Sequence, residues 1–144
     1  MDPRDETPDE RAGGAVDKQS DSTLTYDPVD EARHLRAREA AAGIPGLEGF
    51  GLVVTDGPHA GTHWMLSPGT NEAGRNTDAV LFLDDITVSR HHAAFACESA
   101  RLWVKDLGST NGTYVNGKRV EHAELFPGDE VIIGRFHLVV ARGA

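Results

Sequence analysis

The sequence predicts an all-β protein, a sandwich of short strands that follows an acidic tail with one short helix. From residue 50 onward, short apolar segments alternate with turns rich in Gly, Pro and Asn, and no segment shows a helical period. Large apolar side chains number 8 in residues 1–48 and 30 in residues 49–144. Two sheets packed face to face bury a pattern of this kind, so the second region is the predicted domain.

The tail is predicted to occupy residues 1–48 and the domain residues 49–144. Residues 1–26 hold too few apolar side chains to offset the entropy of ordering, so we expect disorder there.

One helix is predicted within the tail, over residues 27–42. Asp27 suits the N-cap, Pro28 suits the first helical position and Gly43 suits the stop. The apolar face of this helix is thin and consists of Val29, Ala32 and Leu35. Residues 44–49 are interpreted as a linker, so we expect a marginal helix that docks weakly at most.

The strands of the domain follow from apolar segments bounded by turn residues, with Asn116-Gly117 as the strongest hairpin signal. The predicted strands cover residues 50–54, 63–66, 79–83, 93–98, 102–107, 113–115, 118–120, 129–133 and 136–140. The predicted interior consists of Leu52, Val54, Trp64, Leu66, Leu81, Phe95, Trp103, Val131, Ile133 and Val139.

The charge balance excludes several classes of partner. Lys and Arg number 14 against 23 Asp and Glu, and the net charge of −9 argues against binding nucleic acid. No apolar segment approaches the roughly 18 residues that a transmembrane helix needs, and the acidic N-terminus does not resemble a secretion signal. Cys97 is the only cysteine, which suits a reducing compartment. We therefore expect a cytoplasmic protein without a membrane partner.

Four turns of the predicted sandwich are rich in hydrogen-bond donors. They contain two arginines, four hydroxyl groups, three asparagine amides and glycine-loosened backbone N–H groups, and no acidic residue. Arginine forks, hydroxyls and backbone donors are the groups that bind phosphate oxygens. These turns are residues 74–76, 88–92, 108–113 and 116–117. Such a cluster in an acidic chain predicts an anion site.

The spacing of these residues resembles the forkhead-associated (FHA) domain family. The pattern consists of Gly74-Arg75, Ser89-x-x-His92 and Asn111-Gly112 in that order, and the strings VSRHHA and DLGSTNGTYVNG are similar to the family's loops. The resemblance covers roughly residues 50–141. It implies an eleven-stranded β-sandwich that binds phosphothreonine peptides without catalysis and without a cofactor.

The resemblance also implies a role for each residue of the pattern. Arg75 contacts the phosphate or the nearby peptide backbone, the Ser89 hydroxyl donates to a phosphate oxygen, and Arg90 adds a second cationic contact. Thr110 supports the phosphate or the threonine methyl group, and Asn111 hydrogen-bonds the peptide main chain. Three residues support the site without contacting the ligand, namely Gly74, His92 and Gly112.

Two other site types are weaker interpretations of the same residues. A hydrolase with Ser89 as nucleophile and His92 as base lacks a nucleophile elbow and an acid to orient the histidine. A metal site would have to use scattered histidines, of which His59 and His63 do not lie on a helix. We therefore expect neither an enzyme nor a metal site.

The tail carries candidate phosphorylation sites at Ser22, Thr23 and Thr25. This layout resembles small regulatory FHA proteins of actinobacteria, which implies a Ser/Thr protein kinase and enzymes of 2-oxoglutarate and glutamate metabolism as partners. About 27 residues separate Thr23 from the first strand, a flexible span of roughly 30 Å that lets the phosphorylated tail reach the domain's own loops. The chain would then inhibit itself. An alternative is a scaffold that binds proteins through the same loops without phosphorylation.

Overall fold

The structure is a computed structural model that describes residues 28–143. The chain divides into two units, residues 1–32 and 33–144, and the first is described only over its last five residues. The predictions of a disordered segment, of the Asp27 cap and of phosphorylation in the tail lie outside the described residues.

Within residues 28–143, eleven strands form two sheets, which confirms the predicted all-β sandwich. A six-stranded sheet has the order β2-β1-β11-β10-β7-β8, and a five-stranded sheet has the order β4-β3-β5-β6-β9. All pairs are antiparallel except β3 with β4. The elements are α1 (Pro28–Ala42), β1 (Phe50–Asp56), β2 (His63–Met65), β3 (Gly69–Gly74), β4 (Leu81–Phe82), β5 (Ala93–Glu98), β6 (Arg101–Asp106), β7 (Thr113–Val115), β8 (Lys118–Val120), β9 (His122–Leu125), β10 (Glu130–Ile133) and β11 (Phe136–Arg142).

Two predicted features of the strands are wrong. The prediction missed β3 and β9, and it extended β4 to five residues where the structure has two. The sequence of β3, GTNEAG, is poor in apolar side chains and has the composition of a turn. Asn71 of this strand is nevertheless buried, because its amide bonds the carbonyl groups of Ser67 and Phe95.

The core lies between the two sheets and contains most of the predicted interior. Val139 is an exception, because it alternates with the inward-facing Leu138 and Val140 and therefore lies on the outer face of its sheet. Trp103 is half-buried and stacks on His122 outside the core, and Trp64 packs only partly against the core.

Helix α1 ends against the outer face of the six-stranded sheet. Ala40 and Ile44 pack there against Val139 and Ala141, and the Arg36 side chain donates a hydrogen bond to the Gly128 carbonyl. The predicted apolar face is wrong, since Leu35 is 47 % exposed. The linker interpretation of residues 44–49 is also wrong at Ile44, which is 2 % exposed.

This helix reduces the length of flexible chain between the tail's phosphorylation candidates and the domain. The span between Thr23 and β1, treated above as flexible, contains a 15-residue helix. No helix within residues 28–143 is long and apolar enough to cross a membrane.

Candidate functional site

Three loops at one end of the sandwich are joined by hydrogen bonds. We call residues 75–80 loop 1, residues 83–92 loop 2 and residues 107–112 loop 3. The Arg75 backbone N–H donates to the Ser89 carbonyl at 2.9 Å, and the Asn76 N–H donates to the Arg90 carbonyl at 3.2 Å. Gly74 permits this approach, because a Cβ at that position would overlap the Arg90 carbonyl oxygen. Loops 1 and 2 are thus fixed to each other through their backbones.

His92 joins loop 2 to loop 3 from inside the protein. It is fully buried; its Nδ1 accepts the Ser89 backbone N–H at 3.0 Å, and its Nε2 lies 2.8 Å from the Gly112 carbonyl oxygen. Because Nδ1 accepts, Nε2 carries the proton and donates it to Gly112. Neither nitrogen is left to act as a base for the Ser89 hydroxyl, so these contacts argue against the hydrolase interpretation.

The polar groups of the predicted site lie together on loops 2 and 3. The Ser89 Oγ accepts the Thr110 backbone N–H at 3.0 Å, which leaves the hydroxyl proton available to an acceptor. The Asn111 Nδ2 donates to the Thr87 carbonyl at 2.9 Å. Among the described residues, no donor occupies the Asn111 Oδ1. The site therefore presents a hydroxyl donor beside an amide oxygen that can accept a peptide N–H.

The two predicted arginines are exposed and unpaired. The Arg75 Nε donates to the Val88 carbonyl at 3.0 Å, which leaves its terminal nitrogens available. Within residues 28–143, neither Arg75 nor Arg90 forms an ion pair, whereas Arg101 and Arg135 pair with Glu124 and Asp85. Arg75 and Arg90 therefore each keep a guanidinium at this rim without an acidic partner among the described residues, although the chain as a whole is acidic.

Asp106, at the end of β6, holds loop 3 in place. Its carboxylate accepts the backbone N–H groups of Gly108 and Ser109 and the hydroxyls of Ser109 and Thr113, at 2.5 to 3.0 Å. Partial burial would raise the pKa of Asp106, but these hydrogen bonds outweigh it and lower the pKa below its ordinary value. The hydroxyls of Ser109 and Thr113, counted above as possible ligand donors, are thus used inside the protein.

A second aspartate holds loop 2. Asp85 accepts the Thr87 backbone N–H at 3.0 Å and also contacts the Thr87 hydroxyl and the Arg135 guanidinium. The hydrogen bond from Arg135, followed by those from Thr87, lowers the pKa of Asp85 far below its ordinary value. The sequence prediction missed both aspartates, although an acid two residues before a Gly-Ser or Thr turn position is a recognisable anchor for backbone N–H groups.

Arg119 of β8 is a further cation at the site that the sequence prediction missed. Its guanidinium lies against Gly112, where a side-chain Cβ would come within 2.7 Å of Nε. Gly112 has a φ of 88°, so glycine is required there both for the turn and for the space. Within the described residues, no group of three His, Cys, Asp or Glu side chains could hold a metal ion.

Known proteins are similar to this chain over most of its length. A family model described as FHA domain matches residues 71–134. The chain is 44 % identical over 139 residues to a protein of Mycolicibacterium smegmatis named glycogen accumulation regulator GarA, covering 89 % of this chain and 88 % of the relative. It is 48 % identical over 105 residues to a protein of Corynebacterium jeikeium named oxoglutarate dehydrogenase inhibitor, covering 72 % and 73 % of the two chains.

One solved structure is similar to 66 % of this chain and 97 % of its own, with a TM-score of 0.62 and 34 % identity. It comes from a structural and functional analysis of phosphothreonine-dependent FHA domain interactions.

Proposed function

The chain belongs to the FHA domain family, and we propose that it is a non-catalytic signalling protein that binds phosphothreonine peptides at loops 1, 2 and 3. One observation carries the proposal. Among the described residues, the rim presents donors without an acceptor, namely the terminal nitrogens of Arg75, the Arg90 guanidinium and the Ser89 hydroxyl, beside an amide oxygen on Asn111 that no donor occupies. A phosphothreonine carries a charge of about −1.5 to −2 and three acceptor oxygens, which this set of donors suits.

Each side chain has a separate task in the proposed complex. Arg75 and Ser89 bind phosphate oxygens, and Arg90 adds positive charge beside them. Asn111 accepts a peptide N–H and so fixes the register of the peptide, while Thr110 lies next to the phosphothreonine. The backbone hydrogen bonds that Gly74 permits between loops 1 and 2, and the imidazole hydrogen bonds of His92 to Ser89 and Gly112, hold the loops before any ligand arrives. Little ordering entropy is therefore lost on binding.

Calorimetry with a synthetic peptide of residues 16–30, phosphorylated on Thr23, tests this function. We expect saturable binding, no binding of the unphosphorylated peptide, and at least a tenfold loss with Arg75→Ala or Ser89→Ala. Arg142→Ala is the matched control, because Arg142 is an exposed arginine of β11 whose guanidinium lies over the Phe50 ring of β1. Equal binding of both peptides, or an Arg142→Ala loss as large as that of Arg75→Ala, contradicts the proposal.

We extend the proposal to the chain's own tail as a ligand. A Ser/Thr protein kinase in the cytoplasm modifies Thr23 or Thr25, and the phosphorylated tail then occupies the site of the same molecule and closes it to other ligands. Kinase-treated protein should remain monomeric in sedimentation and should no longer bind the phosphopeptide. A shift to dimers would indicate tail exchange between molecules, and unchanged peptide binding would contradict self-inhibition.

A second candidate function is binding to metabolic enzymes without phosphorylation of the partner. The relative named oxoglutarate dehydrogenase inhibitor supports it, and loop 2 carries Ile86, which is 90 % exposed beside the candidate site. Such an apolar side chain on an anchored loop suits a protein surface better than solvent. Surface plasmon resonance with 2-oxoglutarate dehydrogenase, before and after phosphatase treatment of the enzyme, tests this function. Ile86→Ser should weaken binding, whereas phosphatase treatment should leave binding unchanged.

A further inference from the structure

We propose that the outer face of the five-stranded sheet is the docking surface for the unphosphorylated enzyme partner and receives an amphipathic helix of that partner. The inference rests on the second candidate function and names the surface that this function uses. We call this surface the open face. It presents six apolar side chains, Val80, Phe82, Ala94, Ala96, Trp103 and Leu107.

Strand alternation turns the apolar side chains at the β4 edge away from the core. Leu81 and Leu83 are buried in the core, so Val80 and Phe82, which alternate with them, point outward. Val80 is 52 % exposed and Phe82 is 40 % exposed. Exposed apolar side chains that lie together on one face indicate a surface that contacts another protein.

The middle of the open face is a shallow trough with a floor of alanines. Ala94 and Ala96 alternate with the buried Phe95 on β5, so both point outward. Trp103 lies opposite Ala96 on β6, and Leu107 continues the outward series of β6 into loop 3. The side chains on β3 and β6 that flank this floor stand two strand spacings apart, about 10 Å, which is close to the diameter of an α-helix.

The charges of the open face leave one cation for a partner. The Glu72 carboxylate contacts the His91 ring, and Arg101 pairs with Glu124 at 2.7 Å. Lys105 is exposed and, within residues 28–143, forms no ion pair. A helix that docks here therefore needs apolar side chains toward the trough and one carboxylate that reaches Lys105.

The six-stranded sheet shows how a face of this kind is covered. Helix α1 packs Ala40 and Ile44 against the outward Val139 and Ala141. Gly51 leaves the space for this contact, because a Cβ there would lie 2.7 Å from the Ile44 Cδ1. Small outward side chains thus admit a helix on that sheet. The described residues contain no second helix for the open face, so the helix comes from a partner.

The open face is continuous with the candidate site. Phe82 directly precedes loop 2, and Leu107 is the first residue of loop 3. A partner without a phosphate gains little from the arginines of the rim, so apolar area has to supply most of its affinity. Ile86 alone offers one side chain, and the open face adds the apolar area that such a partner needs.

Surface plasmon resonance with phosphatase-treated 2-oxoglutarate dehydrogenase tests the open face. Ala96→Arg places a long charged side chain on the floor of the trough, and Phe82→Ser removes an exposed ring. Each should weaken binding at least tenfold. Lys105→Glu should weaken binding about threefold, mainly through slower association, and this loss should shrink in about 0.5 M salt.

Met65→Ser is the matched control and should leave enzyme binding unchanged, because Met65 is 54 % exposed on β2 of the other sheet. Thermal denaturation shows whether each variant is folded, and Val80→Ser replaces a variant that is not. If Ile86→Ser weakens enzyme binding and the open-face variants do not, or if Met65→Ser weakens it as much as they do, the open face is wrong while the second candidate function stands. If the wild-type chain does not bind the enzyme, that function and the open face fail together.

Discussion

The chain contains two Asn-Gly turns, Asn111-Gly112 in loop 3 and Asn116-Gly117 between β7 and β8, and they use their asparagines differently. The Asn116 side chain is fully engaged, since Nδ2 donates to Asp129 at 3.1 Å and Oδ1 accepts the Glu130 N–H at 3.0 Å. The Asn111 side chain uses only its nitrogen, on the Thr87 carbonyl.

This difference separates a turn that serves the fold from one that presents a ligand group. An aspartate anchors each turn: Asp106 binds the donors of loop 3, and Asp129 binds Asn116 and the Phe126 N–H. Both turns are therefore fixed by a carboxylate. What distinguishes the first is an exposed amide oxygen that no donor within residues 28–143 occupies, beside arginines without an acidic partner in the same range.

The glycines of the two turns should give the largest contrast. Both have positive φ, 88° at Gly112 and 84° at Gly117, but a Cβ would meet the Arg119 guanidinium at Gly112 and open space at Gly117. We expect Gly117→Ala to lower the free energy of unfolding by about 1 kcal/mol and Gly112→Ala by about 1 to 2 kcal/mol, because the exposed Arg119 side chain must also move away from the new methyl group. Urea denaturation measures both. Equal losses would show that Arg119 moves aside without cost.

Substitution of Asn111 should mainly weaken ligand binding, whereas substitution of Asn116 should mainly lower stability. Asn111→Ala should weaken phosphopeptide binding by at least tenfold and lower the free energy of unfolding by less than about 1 kcal/mol, because it removes one exposed hydrogen bond, to the Thr87 carbonyl, while its oxygen has no donor within residues 28–143. Asn116→Ala should lower the free energy of unfolding by about 1 to 2 kcal/mol and leave affinity within twofold. Calorimetry and thermal denaturation of both variants test this contrast. An equal loss of phosphopeptide affinity in both variants would contradict it.

The anchor of loop 3 should depend on pH. The pKa of Asp106 is lowered in the folded state, so its stabilisation is fully present above the ordinary pKa of about 4 and is lost as the pH falls through the folded value. Asp106→Asn should therefore lower the free energy of unfolding by about 1 to 2 kcal/mol at pH 7, and this difference from the wild type should shrink as the pH falls below about 4. A difference between wild type and variant that does not change with pH would contradict this role.

The smallest effect concerns a third tight turn, between β5 and β6. Ser99 and Ala100 have φ values of 51° and 62°, which side chains rarely adopt and which Asn-Gly adopts readily. Replacing Ser99-Ala100 with Asn-Gly should raise the free energy of unfolding by about 1 kcal/mol. The phosphopeptide affinity is the control and should not change.

The sequence predicted the strands that carry their own apolar pattern or a strong turn. β5, β7 and β8 match the predicted bounds, because alternation and the Asn116-Gly117 dipeptide are local signals. β3 could not be predicted in this way, since Asn71 is buried only because distant carbonyl groups bond its amide. The docking face of α1 was likewise hidden, because it consists of alanines and Arg36 rather than large apolar side chains.

The candidate site was predictable where a residue type fits a phosphate directly. Arg75, Ser89 and Asn111 stand out as donors or amides in turns, and the structure brings their loops together. Asp85, Asp106 and Arg119 were missed, because they act through contacts between segments distant in sequence. Two of them are acids, and a search for anion-binding residues does not select acids. These two acids nevertheless hold loops 2 and 3, which carry the donors of the site, in place.

The most direct test of phosphothreonine binding at this rim is a two-dimensional 1H–15N NMR titration of the full chain with the Thr23-phosphorylated peptide of residues 16–30. The amide signals of Arg75, Ser89, Thr110 and Asn111 should shift and saturate together, while those of Asn116 and Gly117 stay in place. Saturable shifts confined to α1 or to the Asn116-Gly117 turn, or no shifts in loops 1 to 3, would contradict the assignment of this rim as the binding site.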